Sequence, residues 1–138
     1  MYKRQICSII ASKSVGFGGY FSTIRFLDKF VEEKHNVETL KLSVPQIIKS
    51  DGITGMHILL GDYTFGQMKT EEKSIRAYQG LVDKIVSQAV IVEGLSFEAL
   101  KKAVENIKKE YALIESDTIL INYYCCQHVL TKQDLTTF

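Results

Sequence analysis

The feature that most constrains the fold is an apolar run that ends at a glycine and leads into an aromatic loop. The run covers residues 56–60, Gly61 follows it, and residues 62–66 read Asp-Tyr-Thr-Phe-Gly. An apolar strand with little polar alternation is typical of a parallel sheet covered by helices on both faces. Ligands of open α/β sheets bind at the loops that follow the carboxyl ends of such strands. The run therefore predicts a central strand whose loop lines a ligand site.

The composition predicts one ordinary globular domain over residues 1–138. Apolar residues make up 46% and charged residues 24% of the chain, which excludes a disordered or low-complexity protein. The net charge of +1 does not favour a nucleic-acid partner, and no apolar run approaches the roughly 20 residues of a membrane span. With no secretory signal and an odd number of cysteines, three, we expect a reduced, cytoplasmic protein.

The first five residues, Met-Tyr-Lys-Arg-Gln, resemble the translated read-through of a sequencing-adapter end. On that interpretation residues 1–5 are not native, and the native start is near Ile6. The alternative is a genuine basic N-terminus.

Alternating strand and helix patterns predict a doubly wound sheet. Apolar residues at helical spacing predict helices, short apolar runs between turn residues predict strands, and alternation of the two favours a parallel sheet with right-handed crossovers. Strands are predicted over 6–11, 37–44, 56–60, 89–92 and 118–124, helices over 21–34, 70–88 and 96–111, and a frayed tail over 131–138.

The loop after the first predicted strand is rich in glycine and hydroxyl groups. It reads Ser-Lys-Ser-Val-Gly-Phe-Gly-Gly over residues 12–19. Backbone amides in such a loop can cradle phosphate. It is not a Walker loop, and a GxGxxG match fails because Phe21 stands where the last glycine is required. Phosphate binding and a plain tight turn are the two alternatives for this loop.

Three loops together resemble those of flavodoxins. They are the loop over 12–19, the Leu-Gly-Asp-Tyr-Thr-Phe-Gly motif over 60–66, and Glu-Gly-Leu-Ser-Phe over 93–97. The resemblance covers about residues 6–125, and the middle motif is the specific one. It implies an α/β fold, a flavodoxin-like open five-stranded parallel sheet with helices on both faces, in which the final helix is missing or shortened.

The resemblance also implies flavin mononucleotide (FMN) as the cofactor. Ser12, Ser14 and Gly16 would meet the phosphate, while Phe65 and Phe97 would flank the isoalloxazine ring. The first loop departs from the family pattern, with one residue inserted and the final hydroxyl missing. The full set of residues that the resemblance assigns to the cofactor is Ser12, Lys13, Ser14, Gly16, Phe17, Gly18, Gly19, Asp62, Tyr63, Thr64, Phe65, Gly66, Glu93, Gly94, Leu95, Ser96 and Phe97.

The function implied by this resemblance is electron transfer between redox partner proteins, by a carrier more than by an enzyme with its own substrate. A variant is the flavodoxin-like activator of manganese ribonucleotide reductase. The alternative is a non-catalytic module on the same fold that has lost flavin and binds another phosphate-bearing ligand or a protein partner.

The remaining reactive side chains favour structural interpretations. Adjacent Cys125 and Cys126 have the wrong spacing for zinc, and a cysteine–histidine hydrolase would need an orienting acid that the sequence does not identify. Carboxylates at strand ends, such as Glu93, are more often helix caps or solvated groups than metal ligands. His57 within a strand predicts a packed residue, and His35 at a helix end predicts a dipole partner. No catalytic or metal-binding residue is predicted.

Overall fold

A computed structural model describes residues 5–27, 31–62 and 85–127. Five strands lie in these ranges: β1 Cys7–Ser14, β2 Tyr20–Phe26, β3 Ile53–Gly61, β4 Gln88–Gly94 and β5 Ile119–Cys125. A 3-10 helix spans Glu33–His35, and the α-helices are α1 Val37–Lys41, α2 Val44–Ile47 and α3 Phe97–Glu110.

The strands form one sheet in the order β1-β3-β4-β2-β5, and every neighbouring pair is antiparallel. The predicted flavodoxin-like parallel α/β sheet is therefore wrong. The physical reason lies in the first connection, because β1 and β2 are joined by only residues 15–19. A parallel crossover needs about a dozen residues or more, whereas this loop is long enough only to cross the ends of the intervening strands.

Two predicted elements have the opposite type in the structure. Residues 20–26 of the predicted first helix form β2, in which Ser22, Ile24 and Phe26 are buried in alternation. The helical spacing of Phe21, Ile24 and Leu27 is thus coincidental, since β2 buries alternate side chains against the core. Residues 37–44, predicted as a strand, contain α1 and the first residue of α2.

Asn36 explains the second of these corrections. Its side-chain oxygen accepts a hydrogen bond from the backbone N–H of Thr39, at 2.9 Å. This bond makes it the N-cap of α1, because an asparagine side chain can satisfy one of the first free N–H groups of a helix.

From β2 onward the described elements follow the split β-α-β connectivity. The order β2, α1 and α2, β3, β4, α3, β5 gives a four-stranded antiparallel sheet with β4 and β2 at its centre. The remaining strand, β1, pairs with β3 at one edge. Its register shifts between Ile9 and Ala11, which marks a β-bulge.

One face of the sheet carries the core, and we call it the packed face. It joins β2, β3 and β4 to buried side chains of the helices. All three α-helices in the described part contribute to this one cluster, so within the described residues the α-helices pack on one face of the sheet and not on both, as was predicted. The fully or almost fully buried members include Ile24, Phe26, Met56, Ile58, Val90, Val92, Leu40, Leu100, Val104 and Ile107.

Several predicted elements are confirmed. The structure contains the strands predicted over 6–11, 56–60, 89–92 and 118–124, with shifted ends. The helix predicted from Ser96 is α3, and Oγ of Ser96 accepts the N–H of Ala99 at 3.2 Å. The helix predicted over 70–88 lies mostly outside the described residues, although Gln88 begins β4. The predicted tail over 131–138 also lies outside them.

Candidate functional site

Three polar side chains from three neighbouring strands meet on the face opposite the core, which we call the far face. Oγ of Ser12 on β1 lies 2.6 Å from Nδ1 of His57 on β3. The other ring nitrogen, Nε2, lies 2.7 Å from Oε2 of Glu93 on β4. The side chains of His57 and Glu93 are 24% and 28% exposed, whereas Ser12 is exposed. The three groups form a continuous chain of hydrogen bonds from solvent to a half-buried carboxylate.

The strand register brings these residues together. Ser12 is directly opposite His57 in the pairing of β1 with β3. His57 is opposite Ile91 on β4, and Glu93 is two residues further along that strand. Such diagonal neighbours on one face of a sheet are within reach of long side chains. Each of the three side chains is therefore positioned by a backbone ladder rather than by a flexible loop.

The ionised carboxylate of Glu93 determines which nitrogen of His57 carries the proton. A carboxylate can only accept hydrogen bonds, so the neutral imidazole must present N–H at Nε2. Nδ1 is then the unprotonated nitrogen, and it accepts the hydroxyl proton of Ser12. In this tautomer Glu93 orients the ring and His57 is ready to take a proton from Ser12.

Glu93 reaches His57 because the residue opposite it on β3 is a glycine. Gly55 pairs with Glu93 in register, and a Cβ at Gly55 would clash with Oε2 of Glu93 and lie 3.3 Å from Nε2 of His57. The absence of a side chain at this position leaves the space that the carboxylate occupies.

The loop over 15–19 crosses the sheet beside this cluster. Val15 donates its backbone N–H to the carbonyl of Thr54 at 2.8 Å. A Cβ at Gly18 would lie 2.7 Å from the backbone nitrogen of Gly94, so this glycine allows the loop to pass directly against the end of β4. The cluster of Ser12, His57 and Glu93 therefore lies near the end of the sheet that this loop crosses.

The structure brings two of the three predicted cofactor-binding groups to this same end. Ser12, Lys13 and Ser14 end β1, and Gly16, Phe17, Gly18 and Gly19 form the crossing loop. Glu93 and Gly94 end β4, while Leu95, Ser96 and Phe97 lead into α3. The contact of Gly18 with Gly94 joins the two groups.

The third predicted group begins at the opposite end of the sheet. Asp62 follows β3, and its backbone N–H donates to the carbonyl of Ile6 just before β1. Gly55 and Gly61 are six residues apart in β3, a distance of about 20 Å at the usual rise of a strand. Tyr63, Thr64, Phe65 and Gly66 lie outside the described residues. FMN binding stays a prediction, and the parallel fold from which its site was carried over is wrong.

Phe97, the other predicted ring-stacking residue, contacts side chains of the protein itself. Its ring meets Tyr123 edge-on at 5.4 Å between centroids. Nζ of Lys101, one helical turn further on, lies 5.2 Å from the centroid of the same ring. These contacts hold Phe97, the first residue of α3, against Tyr123 of β5.

Other reactive groups in the described residues are separated from the cluster. Nε2 of buried His35 lies 2.7 Å from the carbonyl oxygen of Tyr111, a contact that links the 3-10 helix to the end of α3. Cys7 and Cys125 lie on β1 and β5, the two opposite edge strands, and burial raises the pKa of the Cys7 thiol. Among the residues that the structure describes, no group of three His, Cys, Asp or Glu side chains is placed to hold a metal.

The contacts that join the three residues of the cluster were not predicted from the sequence. His57 was predicted to be packed and Glu93 to be a cap or solvated group, while the resemblance assigned both Ser12 and Glu93 to the cofactor. The residues are 45 and 36 positions apart, and only the antiparallel register makes them neighbours. The one local indication was a histidine within an otherwise apolar strand.

Comparison of the chain with protein-family models, with curated proteins and with solved structures found no match. Within the described ranges, no helix has the length and apolar character needed to cross a membrane.

Proposed function

We propose that this protein is a serine hydrolase acting on esters, with Ser12 as the nucleophile. The single observation that carries the proposal is the pair of short contacts, 2.6 Å and 2.7 Å, that links Ser12 to His57 and His57 to Glu93. A nucleophile within hydrogen-bond reach of a base, and a base oriented by a third group, is the arrangement that activates a hydroxyl. The roles, and not the order of residues in the chain, define such a triad.

In the first half of the reaction, Oγ of Ser12 attacks the carbonyl carbon of the ester while its proton moves to Nδ1 of His57. The resulting imidazolium is stabilised by the Glu93 carboxylate at Nε2. Collapse of the tetrahedral intermediate breaks the bond to the alcohol oxygen, and His57 returns the proton to the departing alcohol. An acyl group is left on Ser12.

In the second half, a water molecule replaces the alcohol. His57 accepts a proton from this water as it attacks the acyl carbon, and then donates the proton to Oγ of Ser12 as the carboxylic acid is released. The exposure of Ser12 gives both ester and water access to the nucleophile. The cycle restores the starting protonation states and consumes only ester and water.

The test is hydrolysis of p-nitrophenyl acetate together with labelling by a fluorophosphonate probe. Ser12→Ala removes the nucleophile, so we expect loss of turnover to the background rate and loss of labelling. His57→Gln and Glu93→Gln remove the base and its orienting anion, and we expect each to lower kcat/KM by about 10²-fold or more, as is typical of general acid–base catalysis.

The matched control is Ser8→Ala. Ser8 is an exposed serine on the same strand, and it pairs with Leu60 away from the cluster, so its loss should leave hydrolysis unchanged. Mass spectrometry of the labelled protein should place the phosphonyl group on Ser12. Labelling that persists in Ser12→Ala, or equal turnover by wild type and Ser12→Ala, would contradict the proposal.

A further inference from the structure

Two polar atoms of β2 on the far face are buried without a hydrogen-bond partner. They are Nε of Arg25 and Oγ1 of Thr23. The two residues are two positions apart on one strand, so their side chains point to the same face. A buried polar group without a partner is costly, and such groups are rare in native structures. Both atoms thus have a hydrogen-bonding capacity that no described group satisfies.

The guanidinium group of Arg25 is already fixed in position. Its Nη2 donates to Oδ1 of Asn122 on β5 at 2.7 Å, and Asn122 is directly opposite Thr23 in the register of β2 with β5. The Arg25 side chain therefore leans along the strand toward Thr23. This contact orients the guanidinium fork before any ligand arrives.

The charge of Arg25 is not neutralised by a carboxylate in the described part of the chain, where the ion pairs involve other cations. Thr23 also lies opposite Ile91, which in turn lies opposite His57. One strand thus separates Thr23 from His57, which places them about 10 Å apart at the usual strand spacing. A positive group and a hydroxyl stand on the same face as the Ser12–His57–Glu93 cluster.

We infer that Arg25 and Thr23 form a binding site for a small oxyanion, a carboxylate or a phosphate group. Arginine presents donors in a planar fork that matches both anions, and the threonine hydroxyl adds a third donor. The half-buried state of Arg25 strengthens the attraction relative to a solvated side chain. This site goes beyond the proposed hydrolase activity, because anion binding does not require Ser12.

The test is titration of the full chain with inorganic phosphate and with acetate, at constant ionic strength maintained with sodium chloride. We expect saturable shifts of the backbone amide resonances of Thr23, Arg25 and Asn122. The two titrations show which anion the site prefers. A phosphate site should saturate at a lower concentration of phosphate than of acetate, and a carboxylate site should saturate at a lower concentration of acetate. Shifts that are linear, or the same with chloride alone, would overturn the inference.

Variants separate this site from general surface charge. Arg25→Met should abolish saturable binding, and Arg25→Lys, which keeps the charge but loses the fork, should weaken it by about tenfold or more. Thr23→Val keeps the shape of the side chain and should weaken binding severalfold, so it also serves if Arg25→Met does not fold. Lys49→Met removes an exposed lysine that follows α2 and should bind as wild type. Equal affinity in wild type and Thr23→Val, or in wild type and a folded Arg25→Met, would overturn the inference.

The readout keeps this inference separate from the proposed hydrolase. Saturable binding in Ser12→Ala with no ester turnover in wild type would support the anion site and contradict the hydrolase. Ester turnover by wild type without saturable anion binding would support the hydrolase and contradict the anion site.

Discussion

The two faces of the sheet differ in what their side chains do. On the packed face, buried apolar side chains such as Ile24, Ile58 and Val90 meet the helices, and the free energy comes from removal of apolar surface from water. On the far face, Ser12, His57 and Glu93 form hydrogen bonds across three strands. Successive residues of one strand, such as Ile58 and His57, serve these two purposes. The period-2 alternation of one sheet thus separates the apolar core from the hydrogen-bonded cluster.

The largest expected effect tests this separation on adjacent residues of β3. Ile58 is fully buried on the packed face, so Ile58→Ala should lower the free energy of unfolding by about 2–5 kcal/mol, the usual cost of such a truncation. Leu59 is partly exposed on the far face, so Leu59→Ala should lower the free energy of unfolding by clearly less than Ile58→Ala does. Urea denaturation of both variants measures the difference. Equal losses would show that both faces contribute equally to stability.

Two glycines of β3 provide a second test, because a methyl group at each meets a different kind of neighbour. At Gly61 it would clash with the backbone carbonyl of Val86, which cannot move without distortion of the backbone. At Gly55 it would clash with the mobile end of the Glu93 side chain. We expect Gly61→Ala to lower the thermal midpoint, and Gly55→Ala to lower ester hydrolysis by displacing the carboxylate from His57.

The measurements are a melting curve and kcat/KM for each glycine variant. Overpacking of a well-packed site typically costs about 1–3 kcal/mol, which should appear in Gly61→Ala. For Gly55→Ala the loss of turnover should approach that of Glu93→Gln. Full activity in Gly55→Ala would mean that the carboxylate does not need this space.

The smallest effect concerns the start of α3, which covers the packed face. Ser96→Ala removes the side-chain bond to the N–H of Ala99, and loss of an N-cap usually costs about 1 kcal/mol. Chemical denaturation should detect this change, while ester hydrolysis at temperatures well below the melting midpoint should stay as in wild type. A loss of activity without a loss of stability would link the cap to the cluster on the other face.

The elements with strong local patterns were predictable from the sequence. The helix α3 combines a serine cap, a buried stripe and lysines at its end, and β4 is a short apolar run between turn residues, so each is specified by its own residues. Within residues 20–26 the apolar side chains fit both a helix and a strand. Phe21 and Ile24 are three residues apart, as on one face of a helix, while Ile24 and Phe26 are two residues apart, as on one face of a strand. Packing against β4 and β5 selects the strand, and sequence spacing alone does not contain that information.

The candidate site was predictable only in part. Ser12 and Glu93 were singled out, because hydroxyl-rich loops and strand ends are frequent places for ligands. Their connection through His57 was not, because it depends on which strands are neighbours and on their register. The same holds for Arg25 and Thr23, whose pairing with Asn122 follows from β5 lying beside β2. A parallel sheet would have given each of these residues different neighbours.

The position of β1 at the edge of the sheet makes the contact between Ser12 and His57 sensitive to local opening of this strand. Ser12 belongs to β1, which pairs only with β3 among the described strands and exposes most of its side chains, whereas His57 and Glu93 lie on interior strands. Segments with few buried contacts open before the rest of a protein unfolds. Fraying of this one strand would separate the Ser12 hydroxyl from His57 without opening the core cluster. Under the proposed function, ester turnover should therefore follow the fraction of molecules in which the edge strand is closed.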